Sequence, residues 1–385
     1  MCDDTTMIPN PIIVTGSSAF ETTVQAFADK LLRETTPTSI IYAAPGSCTG
    51  VAGFSAPQTG SADYWTLDTT VTPAALKKSK CTFGANQMAD VAISDVFYSS
   101  CSNVTQPIPA TLKDVPGPVQ AMLFVVPKAN TTVQYLSALE AADIYACGAA
   151  ANIAGFNDAA GLFCRDANSG TQITVAKNIG IPASFSMCMG PPAGTGTGGL
   201  INLVEKYSNP QTAIGFIGAD AYDAAASGTS PAPRSALNSL AFQAYGQTMA
   251  YYADSDAASF DRKNVRDGHY GIWGYEHMIV NVDTTGAITN AKAANFVGWI
   301  LGTKVDPSFD AVALTSGAGT IPVCAMKVKR SDDGGPLDYY TDPDPCGCAF
   351  EAAATKTTPA GCVACTGTGT STCTGGKTCH HGFCE

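Results

Sequence analysis

The sequence predicts an α/β fold built on a largely parallel sheet, in two or three domains. Three observations carry this. Twice near the N-terminus a short apolar strand pattern runs into a Ser/Gly turn and then a helix start, the repeating unit of parallel sheets. The run from Ala121 to Val126 is apolar at every position, as a strand buried on both faces requires. A length of 385 residues exceeds what a single core usually serves.

Taken in order, Pro11 to Thr15 is the first strand, broken by Gly16-Ser17-Ser18. Phe20, Val24, Phe27 and Leu31 then repeat at helical spacing, and Ser18 with Glu21 has the spacing of a capping box. Ser39 to Ala43 is the second strand, leading through Gly46-Ser47-Cys48-Thr49-Gly50 into another helix start. The Gly/Thr/Ser-rich stretch 54–82, with Trp65, reads as an elaborated surface loop or small hairpin. Val91 to Asp95 is a third strand, ending in a Ser-Asp pair.

Leu136 to Tyr145 is predicted helical with Leu139 and Ile144 inward, and Phe163-Cys164 is a short strand. Residues 190–199 read as a flexible Pro/Gly/Thr segment, Leu200 to Tyr207 as a helix, and Ala213 to Gly218 as a buried strand. The Ser/Pro/Ala loop 227–233 reads as an insertion. Met278 to Val282 is a strand, and Ala291 to Leu301 a helix with Phe296 and Ile300 on one side. His269 and His277 read as structural, since neither has a metal-ligand spacing.

The formal net charge is -11 and only 14% of residues are charged, which argues against nucleic acid and anionic membrane surfaces as partners. Fifteen cysteines point to an oxidising, extracytoplasmic compartment, and the odd number leaves one thiol over. Cys2 is open to two readings, a lipidated first residue of a mature lipoprotein or one half of a disulfide. No apolar run approaches the roughly 18 to 20 residues of a spanning helix, and the chain reads as a mature form whose export signal has been removed. The region after Ser331 is polar and Pro/Asp-rich. The tail beyond it holds Cys346, Cys348, Cys362, Cys365, Cys373, Cys379 and Cys384 with almost no aliphatic residues, so crosslinks must hold it. Its ending resembles small disulfide-knot repeats of secreted bacterial proteins. Disulfides are the reading preferred over zinc at Cys362-x-x-Cys365 with His380-His381.

The chemistry-bearing stretch is Arg165-Asp166-Ala167-Asn168-Ser169-Gly170-Thr171, ahead of an apolar-periodic run from Ile173 to Ile179. Ser169 or Thr171 can cap that helix, and its first amides, unpaired at the positive end of the dipole, suit an oxyanion. Arg165 adds a fork of donors matched to a phosphate-like group. In an acidic protein such a site must be local.

Five stretches in order resemble the phosphate-binding proteins of ABC importers (PstS-type, type II periplasmic-binding fold). They are Thr15-Gly16-Ser17-Ser18-Ala19-Phe20, Gly46-Ser47-Cys48-Thr49-Gly50, Ser94-Asp95, Arg165-x-x-x-Ser169-Gly170-Thr171 and Gly268-His269-Tyr270. The resemblance covers roughly residues 10–305. It implies two α/β lobes with mixed or parallel sheets and a cleft: lobe I from 8–117 plus 270–330, lobe II from 118–269, then a linker 331–345 and a Cys-rich tail 346–385. Crossings near 116–122 and 266–274 would form the hinge. The oxyanion would be held by the amides of Ala19 and Phe20, the hydroxyls of Ser18 and Ser47, Arg165, and Ser169, Gly170 and Thr171, with Asp95 accepting the anion's proton.

A carboxylate in such a site selects a protonated anion. Phosphate and arsenate bring a proton; sulfate does not, and an unpaired buried acceptor costs about 1–3 kcal/mol. Two positions depart from the family pattern: Ala19 replaces a hydroxyl residue, and the acid that usually stands two after the arginine is moved to Asp166, leaving Ala167. Phosphite, phosphonate and arsenate therefore stay open beside phosphate. The implied function is capture of a solute for an ABC permease, with no cofactor, metal or catalysis. The alternatives are a surface-displayed structural or adhesive protein that self-associates or binds a surface partner through its tail, and a secreted phosphatase using Ser47 or Ser169, which lacks a Ser-His-acid or dimetal cluster.

Overall fold

The computed structural model describes residues 1–185, 187–192, 195–224, 233–304, 309–367 and 373–385. Two strand–turn–helix units open the chain: β1 (Ile12–Gly16), α1 (Glu21–Leu32), β2 (Ile40–Ala43) and α2 (Ser47–Gly53). A hairpin of β3 (Ser61–Asp68) and β4 (Ala75–Thr82) follows, then β5 (Val91–Ser94) and the long β6 (Leu112–Pro127). Beyond β6 come β7 (Tyr135–Ser137), α3 (Ala138–Cys147), α4 (Gly170–Ile179), α5 (Gly196–Glu205), β8 (Gly215–Gly218), α6 (Ala219–Asp223), α7 (Pro233–Ala236), β9 (Leu237–Ser239), β10 (Ala241–Gln243) and α8 (Lys263–Arg266). The chain returns through β11 (Trp273–Asn281), α9 (Ala291–Ile300) and α10 (Ala311–Gly317). It ends with β12 (Val328–Lys329), β13 (Asp338–Tyr339), α11 (Gly347–Thr355), β14 (Cys379–His380) and β15 (Phe383–Cys384).

The sheet runs β4-β3-β2-β1-β5-β11-β6-β8, with β9 also on β6. β1 is parallel to β2 and β5, while β11 is antiparallel to both β5 and β6. β6 belongs to both ends: Leu112 to Ala121 pairs with β11, and Met122 to Pro127 pairs with β8 and β9. One apolar strand thus carries the chain between halves, which explains why every side chain from Gly117 to Pro127 is buried. The first half buries Phe20, Val24, Phe27 and Leu31 of α1 with Phe296 and Trp299 of α9 on one sheet face. Ile13, Ile41, Val51 and Phe54 cover the other. The second half builds the largest core, from Met122 to Val126 with Tyr145, Phe163, Leu200 and Phe216.

Several expectations change. The stretch 54–82 contains a sheet-extending hairpin, and Trp65, 1% exposed, packs into the core with α1. The helix starts at Ala138, where Ser137 and Glu140 form a reciprocal capping box. Leu139 points outward because the 3.6-residue period sets it away from Ala138, Ala141, Ile144 and Tyr145, which form the inner face. Cys2 is bonded to Cys81, so its sulfur has no valence free for a lipid thioether. The loop 227–233 lies outside the described residues except Pro233, which opens α7.

The tail is held by disulfides, Cys348–Cys362, Cys365–Cys379 and Cys373–Cys384, and Cys346 ties it to Cys324. The one thiol left over is exposed Cys147. The stretch read as a linker, 331–345, is mostly exposed but is anchored at one buried residue, Asp333. Asp333 Oδ2 accepts from the Phe97 amide at 3.0 Å and the Ser100 hydroxyl at 2.6 Å. Next to it, Arg330 donates to the Trp273 and Gly271 carbonyls at 2.9 and 3.0 Å. Phe350 of α11 joins the largest core. Asp333→Ala is expected to cost about 1–3 kcal/mol, because it strands a buried amide. Urea unfolding should show this as a lower midpoint at unchanged m-value.

Candidate functional site

Four helix starts or turns meet where the two halves of the chain face each other. After β1, Ser17 Oγ accepts from the Ala19 amide at 2.9 Å. Ser18 does not cap α1, whose N-cap is Phe20 with no side-chain hydrogen bond. Its Oγ instead accepts from Arg165 Nη2 at 3.3 Å and lies 3.4 Å from Thr197 Oγ1. The capping-box spacing is overridden because the hydroxyl finds a buried cation. Ala19 therefore sends its amide to Ser17, and Phe20 places its ring in the core.

Ser47 opens α2, and its Oγ accepts from the Asp95 amide at 3.3 Å. The next amide, Cys48, donates to the Asn168 carbonyl at 3.1 Å, tying the start of α2 to the loop before α4. Asp95 Oδ2 accepts from Thr171 Oγ1 at 3.0 Å. Gly170 is required there. A Cβ on it would lie 2.8 Å from Asp95 Cβ and 2.9 Å from Ser47 Cβ, closer than atoms pack. Ser169 is the N-cap of α4 but makes no side-chain cap, and its buried Oγ has no partner among the described residues. Asp95 Oδ1 is likewise left without a close donor among them.

Arg165 is 7% exposed and donates from Nη1 to Thr197 Oγ1 at 3.2 Å. Burial lowers its pKa and the Asp95 and Asp166 charges raise it, so the guanidinium stays charged. Asp166 does not brace it by a hydrogen bond; its Oδ1 accepts from the Asn168 amide at 3.0 Å. The brace is Thr197 at the start of α5, inside the stretch read as flexible. Gly-Thr-Gly-Gly before Leu200 has the same make-up as Ser-Gly-Thr before Ile173, and that likeness was the available signal.

Sequence reasoning also missed two buried acids. Glu276 lies in β11 with no exposed surface, and Asp220 opens α6 at 1% exposure. A lone Glu among the apolar residues of β11 was the signal for the first. Burial pushes Glu276 well up, helped by the charges of Asp95 and Asp220. Asp220 is pushed up to about 7 by burial, against the Ala221 amide and Gln120. Asp95 is also raised by burial, and the Ser17 and Thr171 hydroxyls and Arg165 pull it back.

His277 Nδ1 is paired with Asp114 at 2.6 Å, His269 stacks on Tyr251, and His380 is paired with Asp344. The one cluster of metal-type donors found among the described residues, Cys365, Cys373 and Cys384, is tied up in disulfides. The arrangement can hold a small anion through hydroxyls, helix-start amides and one guanidinium, beside an acceptor carboxyl.

The raised Glu276 sets a pH dependence. Below the unfolded value of about 4.3 the residue is protonated in both states and contributes nothing. Above it the unfolded chain releases the proton and the fold keeps it, so stability falls with rising pH until the folded group ionises. Glu276→Gln removes that loss. Its melting temperature should match wild type near pH 4 and exceed it increasingly toward neutral pH, at about 1.4 kcal/mol per pH unit.

No protein-family model matches the sequence, and no curated protein matches it. Solved structures do. A protein described as a phosphate ABC transporter substrate-binding protein, from Clostridium perfringens with phosphate bound, is similar at 14% identity and TM-score 0.53, over 82% of this chain and 100% of that one. An ABC-type phosphate transport receptor from Vibrio cholerae is similar at 15% identity and TM-score 0.48, over 80% and 99%. A phosphate-binding protein from Stenotrophomonas maltophilia is similar at 16% identity and TM-score 0.48, over 81% and 90%. At these identities the likeness speaks to architecture: the chain has the two-lobed α/β fold of the substrate-binding proteins of phosphate ABC transporters.

Proposed function

We propose that this chain is an extracytoplasmic solute-binding protein that captures inorganic phosphate, or a closely related protonated oxyanion, in the cleft between two lobes for an ABC permease. The observation that carries the reading is convergence. Across the two halves, the buried guanidinium of Arg165 reaches Ser18 and Thr197, and Asp95 beside it takes Ser47 and Thr171. Lobe I comprises 8–117 with 270–330, and lobe II 118–269, with β6 and the stretch before β11 as the crossings. The phosphate bound to the Clostridium perfringens protein of the same fold supports the choice of anion.

Export fits the cysteines, since every one but Cys147 is paired. No described helix is long and apolar enough to cross a membrane. The site holds no activated serine, which favours binding over hydrolysis.

Calorimetry on protein stripped of anion by unfolding and refolding tests this. Phosphate should bind saturably at one site per chain and sulfate at least tenfold more weakly, the worth of about 1.4 kcal/mol. Arg165→Ala should weaken phosphate roughly a hundredfold, from the loss of charge-assisted hydrogen bonds of about 1.5–3 kcal/mol each. Asp95→Asn should narrow the gap between phosphate and sulfate. Equal affinity for the two anions in the wild type, or no saturable binding, would overturn the reading.

A further inference from the structure

The antiparallel ladder between β5 and β11 pairs His277 with Ser94, which sets Glu276 opposite Asp95. Against β6 the register slips between Tyr275 and His277, so Glu276 stands at a bulge. It has no exposed surface, and no amide, hydroxyl or cation of the described residues satisfies either of its oxygens. The hydrogen-bonding group that faces it is the Asp95 carboxyl.

The other groups around it are of the wrong kind to hold a carboxylate. Asp220 from the start of α6 is a third acid, and its Oδ1 is taken by Gln120 of β6. Tyr42 of β2 gives its hydroxyl to the Ser17 carbonyl. His277 turns to Asp114, and Arg165 acts on Asp95 rather than on Glu276. Two facing carboxyls with no cation between them cannot both be ionised, and they hold one proton between them.

We propose that Glu276 is a specificity-determining residue behind the anion site: as a neutral carboxylic acid it donates its O–H to Asp95, and the protonation state of this pair decides which protonation state of a tetrahedral oxyanion the cleft accepts. With one proton on the pair, Asp95 is an acceptor toward the cleft, and the ligand must bring its own proton. When the pair gives that proton to solvent in alkali, two buried negative charges face the ligand and binding is lost. When the pair takes a second proton from solvent in acid, Asp95 becomes a donor, and an unprotonated dianion such as sulfate is accepted. The ligand part of this rests on the phosphate reading above; the shared proton does not.

Two measurements separate them. Infrared difference spectra of the unliganded protein at neutral pH should show a protonated-carboxyl C=O band that Glu276→Gln loses, distinct from a band lost in Asp220→Asn. Asp95→Asn should shift the Glu276 band, because it changes the hydrogen-bond partner; this reading stands even if the Gln variant does not fold. Phosphate affinity is then compared between wild type and Glu276→Gln from about pH 5 to about pH 9, where the ratio cancels phosphate's own titration. Gln keeps a donor and does not titrate. The ratio should be flat in acid, and wild type should lose up to tenfold per pH unit relative to the variant in alkali. Sulfate binding should rise in acid for wild type. A ratio constant across the range, or a carboxyl band unchanged in Glu276→Gln, overturns the proposal. If the band behaves as expected and phosphate binds neither protein, the shared proton stands and the phosphate reading falls.

Discussion

The site depends on one buried guanidinium that no carboxylate of the described residues neutralises by direct contact. Arg165 is anchored by hydroxyls, Ser18 from one half and Thr197 from the other, and its closest acid partner by charge is Asp95. Hydroxyls orient a guanidinium without cancelling it, so its charge remains available to a ligand. A tightly paired carboxylate would have satisfied the same geometry and cancelled that charge. In a chain with net charge -11, the positive charge here is local, dry and braced by neutral groups, which is what the proposed anion site requires.

The same economy shapes the acids. Asp95, Glu276 and Asp220 are buried together with a single cation near one of them. Burial of an ionised carboxyl is costly, so it raises the pKa of all three, and the Ser17 and Thr171 hydroxyls with Arg165 pull Asp95 back toward the ionised form. The ladder between β5 and β11 makes Asp95 and Glu276 neighbours although they are far apart in sequence. That ladder exists because β11 returns between β5 and β6, the same crossing that joins the two halves.

The C-terminal region answers a different constraint. It has too little apolar material for an independent core, and it solves this by disulfides within and by docking outside. Phe350 enters the largest core, while Asp333 and Arg330 bond to the segments that flank the crossings. Within this polar, Pro/Asp-rich and mostly exposed stretch Asp333 is the anchor, because its carboxylate accepts from the Phe97 amide and the Ser100 hydroxyl rather than from water.

The sequence by itself determined the α/β class, the strand–turn–helix units, a crosslinked chain with one thiol left over, and the choice of Arg165, Ser47, Asp95, Ser169, Gly170 and Thr171 as candidates. Those rest on local signals: apolar period, turn residues, cysteine number and helix-start chemistry. It misplaced Ser18 as a cap and Trp65 on the surface, because each was decided by a partner distant in the chain, Arg165 and the core under α1; Leu139 was put inside against the helical period, which sets it away from Ile144. Thr197, Glu276 and Asp220 had no local signal strong enough to single them out. Only tertiary structure decided them, since a hydroxyl becomes a brace and a carboxyl a proton holder through what is packed against it, and burial and strand register are not written in any short window of residues.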